Sequence, residues 1–221
     1  MIYDFHTHTS LSDGNLSPIE MVRRALVKGY QAIALTDHVA IGSLSRVIEE
    51  LSKDCALARA HWNILAIPGV ELTHVPTQAI AETAKKAKAL GAWLVVVHGE
   101  TFIEPVEKGT NLSAVQCPNV DILAHPGFLT PQEMELASAN GTFIELSAKQ
   151  GHRLANEHIA LLAQNSTAKL LVNSDAHSDE ELLTPASAYT VARNAGLNEE
   201  LCHQVLTTNP LLLIEKLPTG L

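Results

Sequence analysis

Nine residues of this 221-residue chain have side chains and spacings suited to metal chemistry: His6, His8, Asp13, His38, Glu71, His98, His125, Asp175 and His177. His6 and His8 lie in the opening stretch MIYDFHTHTSLSDG, and residues two apart on a strand share a face. Two imidazoles then address one point in space, and the turn at Asp13-Gly14 brings a carboxylate close to it. Imidazole and carboxylate together suit Zn, Mn or Fe without selecting among them. Alone, a His-x-His pair is equally what two partly exposed strand histidines look like. Its meaning depends on the elements that carry the other seven residues.

Those elements alternate. Ser17-Pro18 caps a helix that runs to Lys28-Gly29, and the apolar run Ala32–Thr36 ends in Asp37-His38. A helix from Ser43 to about Trp62 precedes a strand-like segment, Ile64–Val70, that ends in Glu71; Pro68 is expected to bend that strand or cut it short. The alanine-rich helix Thr77–Leu90 leads to the strand Trp93–Val97 and then His98. The segment Glu100–Cys117 reads as a loop with one short helix, followed by the strand Val120–Ala124 and His125. A helix at Pro131–Ala139, a strand at Thr142–Leu146, a helix at His152–Asn165 and a strand at Lys169–Asn173 follow, the last ending in Asp175 and His177. Two helices, Pro185–Ala195 and Glu199–Leu206, close the pattern, with Asn209-Pro210 as a terminator before a short apolar tail. Seven strand–helix units with continuous apolar runs predict a parallel barrel or sheet covered by helices, in a single domain over residues 1–221.

Six of these seven strands end, on the C-terminal side, in a residue able to bind a metal. In parallel α/β folds those ends open onto one face, where residues remote in sequence become neighbours. Independent roles as caps, turns or solvated strand ends would not place all of them on one side. His61, His74, His152, His158 and His203 lie off the strand ends. His61, His158 and His203 fall in predicted helices, while His152 opens a helix directly after a strand end.

Composition narrows the class. At 46% hydrophobic and 18% charged, the chain resembles an ordinary globular protein with an aliphatic core. Neither a leader nor a membrane-length apolar run is recognisable, which predicts a cytoplasmic protein. Cys55, Cys117 and Cys202 are odd in number and widely spaced, so they are expected as small buried hydrophobes. A net charge of −9 argues against a surface built for long nucleic acid, and three divalent ions would bring it to −9 + 6 = −3.

The set His6-x-His8 with Ser12-Asp13-Gly14, Thr36-Asp37-His38, Pro68-Gly69-Val70-Glu71, Val97-His98-Gly99, Ala124-His125-Pro126-Gly127 and Ser174-Asp175-Ala176-His177 resembles the PHP domain, the polymerase and histidinol phosphatase family. The resemblance covers residue 2 to about residue 177, in the manner of a stand-alone histidinol-phosphatase-like member. It implies a distorted seven-stranded (β/α)7 barrel, TIM-barrel-like, with two or three divalent metal ions (Zn, Mn or Fe). It assigns His6, His8, Glu71 and Asp175 to one ion, bridging Glu71 with His98 and His125 to a second, and Asp13, His38 and His177 to a third. Some members carry histidine at the position of Asp13.

Such a centre suits phosphoester hydrolysis, because ions within roughly 4 Å of each other turn a bridging water into hydroxide and stabilise the transferring phosphoryl oxygens. Glu71, Asp175 and His177 are the expected catalytic residues, with His177 or a metal-bound water as proton donor. Lys108, Thr110, Asn111, Lys149, His152 and Arg153, on two loops of the same face, are the expected substrate-binding residues. The expected substrate is a small phosphomonoester, with histidinol phosphate implied only by the resemblance. The competing readings are hydrolysis of a phosphodiester in a nucleotide or short oligonucleotide, and a metal-binding regulatory module without turnover. No P-loop, dinucleotide fingerprint or serine-hydrolase order is present.

Overall fold

Strand and helix alternate as the apolar runs predict, and every strand pairing among the described residues, 1–218 of this computed structural model, is parallel. The principal strands are β1 (Ile2–Asp4), β2 (Tyr30–Leu35), β4 (Leu65–Leu72), β5 (Leu94–His98), β6 (Ile122–Ala124), β7 (Phe143–Ser147) and β8 (Leu170–Asn173), hydrogen-bonded in that order. A two-residue strand that the sequence reading omits, β3 (His38–Val39), adds to β4 beyond the end of β2. The helices α1 (Pro18–Val27), α2 (Leu44–His61), α3 (Ile80–Ala89), α4 (Thr110–Val115), α5 (Pro131–Asn140), α6 (Asn156–Ala163) and α7 (Pro185–Asn194) follow the strands in turn. The result is the expected nearly closed, TIM-barrel-like ring of seven parallel strands.

Burial on both faces explains the continuous apolar runs. Along β2, Ala32 and Ala34 join a cluster with Phe5, Ile67, Val96 and Phe143, whereas Ile33 and Leu35 pack in the layer between sheet and helices. The three cysteines are free and buried, as expected. No helix among the described residues is long and apolar enough to cross a membrane.

Two local expectations are corrected. Pro68 neither bends nor shortens its strand: β4 runs unbroken from Leu65 to Leu72. Its carbonyl accepts from Trp93 N (2.8 Å), just ahead of the first residue of β5. The missing N–H of Pro68 points to that same edge, where pairing has not begun, so no ladder bond is lost. Asn209-Pro210 does not terminate a helix. The chain continues from α8 (Glu199–His203) through a π-helical turn, Gln204–Thr208, into α9 (Asn209–Lys216), with Pro210 in its first turn where a proline is tolerated. Leu213 and Leu217 then join the inner cluster, and Asn209 Nδ2 donates to Leu170 O (2.8 Å) at the start of β8. Helix α9 thus plugs the end of the barrel opposite the predicted metal face.

The ring closes between β1 and β8. Asp175 N donates to His6 O (3.0 Å) and His8 N to Ala176 O (2.8 Å). Side chains complete the seam: Phe5 N donates to Asn173 Oδ1 (3.0 Å) and Ser174 N to Asp4 Oδ1 (3.1 Å). Burial raises the Asp4 carboxyl to about 7.

Candidate metal centre

The C-terminal strand ends deliver the predicted residues to one place, some from the last residues of a strand and others from the loop just beyond it. His38 and Glu71 face each other in register across β3 and β4. His98 is the last residue of β5, while His125 and Asp175 follow β6 and β8 with φ of 27° and 54°. Such values are rare for residues with a Cβ and concentrate at functional sites, where the surrounding structure enforces them.

Four groups of ligand atoms lie mutually within 4.8 Å: His8, Asp13, His38 and His177; His6, Glu71 and His125; His6, His8 and Asp175; and His125, His152 and Asp175. Glu71 is buried between them. Its Oε1 faces His6 Nε2 (3.2 Å) and His125 Nε2 (3.4 Å), and its Oε2 faces His38 Nδ1 (2.6 Å) and His8 Nε2 (3.7 Å). His8 Nε2 also meets Asp175 Oδ1 at 3.1 Å, and Asp13 Oδ2 meets His177 Nε2 at 3.2 Å and His38 Nε2 at 3.6 Å.

These contacts require positive charge. His6 Nδ1 lies 2.7 Å from Glu145 Oε2, which fixes its proton there and leaves Nε2 as a lone pair. That lone pair points at Glu71 Oε1 and, at 3.0 Å, at His8 Nε2. Glu71 Oε1 has no hydrogen-bond donor, and His8 Nδ1 and His125 Nδ1 are likewise buried without partners. Electron-rich atoms packed this way are costly unless a cation lies among them. The residues therefore fit divalent metal ions. Burial would lower His6, but Glu145, Glu71 and Asp175 hold it well above the ordinary imidazole range, so a proton can meet the same demand. Burial would raise Glu71, yet His6 and His38 hold it well below the usual carboxylate range. His8 and His152, where burial prevails, are pushed down to about 4.

The predicted sets converge unevenly. His6, His8 and Asp175 come together while Glu71 groups with His6 and His125 instead, and Asp13, His38 and His177 come together with His8 added. His98 does not join Glu71 and His125. Its Nε2 lies 2.8 Å from Glu104 Oε2, and the Glu104 carboxyl is lowered to about 2, chiefly by that bond.

The predicted substrate residues separate further. Lys149 enters the centre, its Nζ 2.8 Å from His177 Nδ1 and 3.5 Å from Asp175 Oδ1. His152 stands among the ligand groups, 3.6 Å from Asp175 Oδ2. Thr110 and Asn111 are buried, and their side chains bond internally. Thr110 Oγ1 donates to Glu107 O (2.6 Å), Asn111 Nδ2 donates to Pro126 O (2.7 Å), and Asn111 Oδ1 accepts from Glu100 N (3.0 Å). Lys108 lines a neighbouring cavity with Phe102 and Phe128. Arg153 lines another, beside Glu180 and Glu181.

Sequence reading missed three contributors. Glu145 sits on β7, the strand judged to lack a ligand, and supports His6; a charged residue inside an apolar buried run was the available signal. His74, set aside as off the strand ends, has φ 55° and lines the mouth with Asp13, His38 and Glu104. Asp37 accepts from Thr9 N (2.8 Å), Thr9 Oγ1 (2.8 Å), Ser12 N (3.1 Å) and Ser12 Oγ (2.6 Å), fixing the loop that presents Asp13. Asp37→Ala is expected to destabilise the fold by about 2–4 kcal/mol through these buried unpaired donors, read as a lower midpoint in denaturant unfolding.

Comparison with known proteins agrees with this geometry. The PHP domain model matches residues 4–189. An uncharacterized protein of Methanocaldococcus jannaschii is 42% identical over 98% of this chain and 100% of its own length. A probable phosphatase of Thermoanaerobacter sp. is 29% identical over 91% of this chain and 89% of its own. The DNA polymerase/3'-5' exonuclease PolX of Bacillus subtilis is 30% identical over 86% of this chain, but over 36% of its own length. With its parallel barrel, its histidine and carboxylate groups at the strand ends and a family match spanning most of its length, the chain belongs to the PHP domain family.

Proposed function

We propose that this metal-dependent phosphoester hydrolase acts on a small phosphomonoester, with His6, His8, Glu71 and Asp175 holding one divalent ion. His125, with Glu71 or His152, would serve a second, and Asp13, His38 and His177, with His8, a third. The observation that carries this reading is Glu71, whose two oxygens face different imidazole pairs in a buried site. Bound divalent ions would supply Lewis-acid charge and lower the pKa of water; Zn, Mn and Fe all suit the donors.

The protein's own groups do the positioning. Lys149 Nζ, beside Asp175 and His177, is placed to hold a phosphate oxygen. Glu145 fixes the His6 tautomer through Nδ1. The two roles expected of His177 exclude each other: an Nε2 that serves as a ligand with Asp13 has no proton to give. With Nε2 so engaged, the proton left on His177 is at Nδ1, which lies 2.9 Å from Asp175 O.

The mouth is acidic, with Glu104 and Asp13 about half exposed. This supports a small substrate over long nucleic acid. The exonuclease in the name of the PolX relative keeps a phosphodiester as the second reading. The test is a panel of mono- and diesters assayed before and after chelation. Chelator is expected to lower monoesterase activity by at least about a hundredfold, with restoration by Mn, Zn or Fe. Faster diester turnover would favour the second reading. No turnover with any metal would leave a binding module.

A further inference from the structure

The chain has four phenylalanines, and they divide sharply. Phe5 and Phe143 are in the core. Phe102 and Phe128 are 46% and 68% exposed, with ring centroids 4.7 Å apart in an edge-to-face pair. They occupy the two loops that leave β5 and β6, four residues past His98 and three past His125.

Their placement is built. The Asn111 amide joins the two loops by its bonds to Glu100 N and Pro126 O. Gly127, at φ 64°, leaves no room for a Cβ, which would fall 2.1 Å from Glu100 O. Thr101 Oγ1 lies 2.7 Å from His152 Nδ1, tying the residue before Phe102 to the ligand groups. A cavity of about 690 Å³ lies against both rings, with Lys108, Glu100 and Asn111 also on its wall. That volume suits a small-molecule moiety. Exposed rings on the two loops that follow His98 and His125 offer a π-face to a planar group.

We propose that Phe102 and Phe128 form a platform for a planar heteroaromatic ring in the alcohol half of the substrate, while its phosphate occupies the metal centre. The assignment rests on the phosphomonoester reading above and goes beyond it. The ring could be a nucleobase or a smaller heterocycle such as imidazole, which share this stacking chemistry. Continuity with the ligand loops favours a substrate moiety over a protein partner or a second copy of the chain.

The test compares Phe102→Ala, Phe128→Ala and the double variant on adenosine 5'-monophosphate, histidinol phosphate and glycerol phosphate. For whichever ring-bearing ester is the better substrate, the double variant is expected to raise KM on the order of tenfold. Its kcat should change little, glycerol phosphate kinetics should be unchanged, and Phe128→Trp should restore KM. Which ring-bearing ester is affected distinguishes the two sources. Equal changes on all three esters, or none on either ring-bearing ester, would overturn the platform.

A readout without turnover separates this idea from the one beneath it. Tryptophan fluorescence of Phe128→Trp, compared with wild type, should respond to phosphate-free adenosine or histidinol. If no ester is hydrolysed but the ring compound still binds, the phosphomonoester reading falls and the platform stands. No response to either compound, or self-association that only the double variant abolishes, overturns it.

Discussion

Replacing Glu71 by glutamine is expected to abolish hydrolysis and empty more than one metal position at once. Glu71 faces His6 and His125 through one oxygen and His38 and His8 through the other, and it is buried between them. The amide removes the charge and puts an N–H where a lone pair stood. Loss of a group that merely supports a metal ligand lowers affinity or activity by 10–100-fold. Removing the shared carboxylate should therefore lower kcat/KM by more than about a hundredfold. Elemental analysis of the purified variant, beside its kinetics, checks both halves. Full metal content with a normal rate would show that Glu71 bridges nothing.

The second large effect belongs to Glu145. Its carboxylate lies 2.7 Å from His6 Nδ1 and accepts from Asn173 Nδ2 at 3.0 Å, with all three groups buried. Glu145→Ala leaves the imidazole and the amide without a partner. Breaking a buried charged pair from one side costs about 3–5 kcal/mol, a fall in Tm of about 10 °C for a domain of this size. Glu145→Gln keeps an acceptor and should fold better. It should still bind metal roughly 10- to 100-fold more weakly, because His6 loses the charge that makes it basic. Calorimetry and metal titration distinguish the variants. Unchanged affinity in both would mean that the His6 tautomer is set elsewhere.

The fold was legible because parallel strands buried on both faces produce uninterrupted apolar runs, each followed by a polar residue at the open end. That regularity exposed His6, His8, His38, Glu71, His125, Asp175 and His177. It did not expose Glu145, which lies inside the apolar run of β7 and not at its open end. Nor could it show that Glu104, six residues past His98, folds back onto the His98 ring. Asp37 stands next to a proposed ligand and drew no role of its own, although its four bonds organise the loop before Asp13. Thr110 and Asn111 show the opposite limit. Their types suit phosphate binding, but burial commits their polar atoms to the backbone.

The seam between β1 and β8 joins residues up to 170 positions apart, such as Asp4 and Ser174. Contacts of that span form late, after the intervening chain has been organised. The same short stretches that close the ring also carry His6, His8, Asp175 and His177. Cations held by those side chains would be a clasp on the circle as well as a reagent. Completing the barrel and arming the centre would then be a single event, and an incompletely folded chain would have no hydrolytic site.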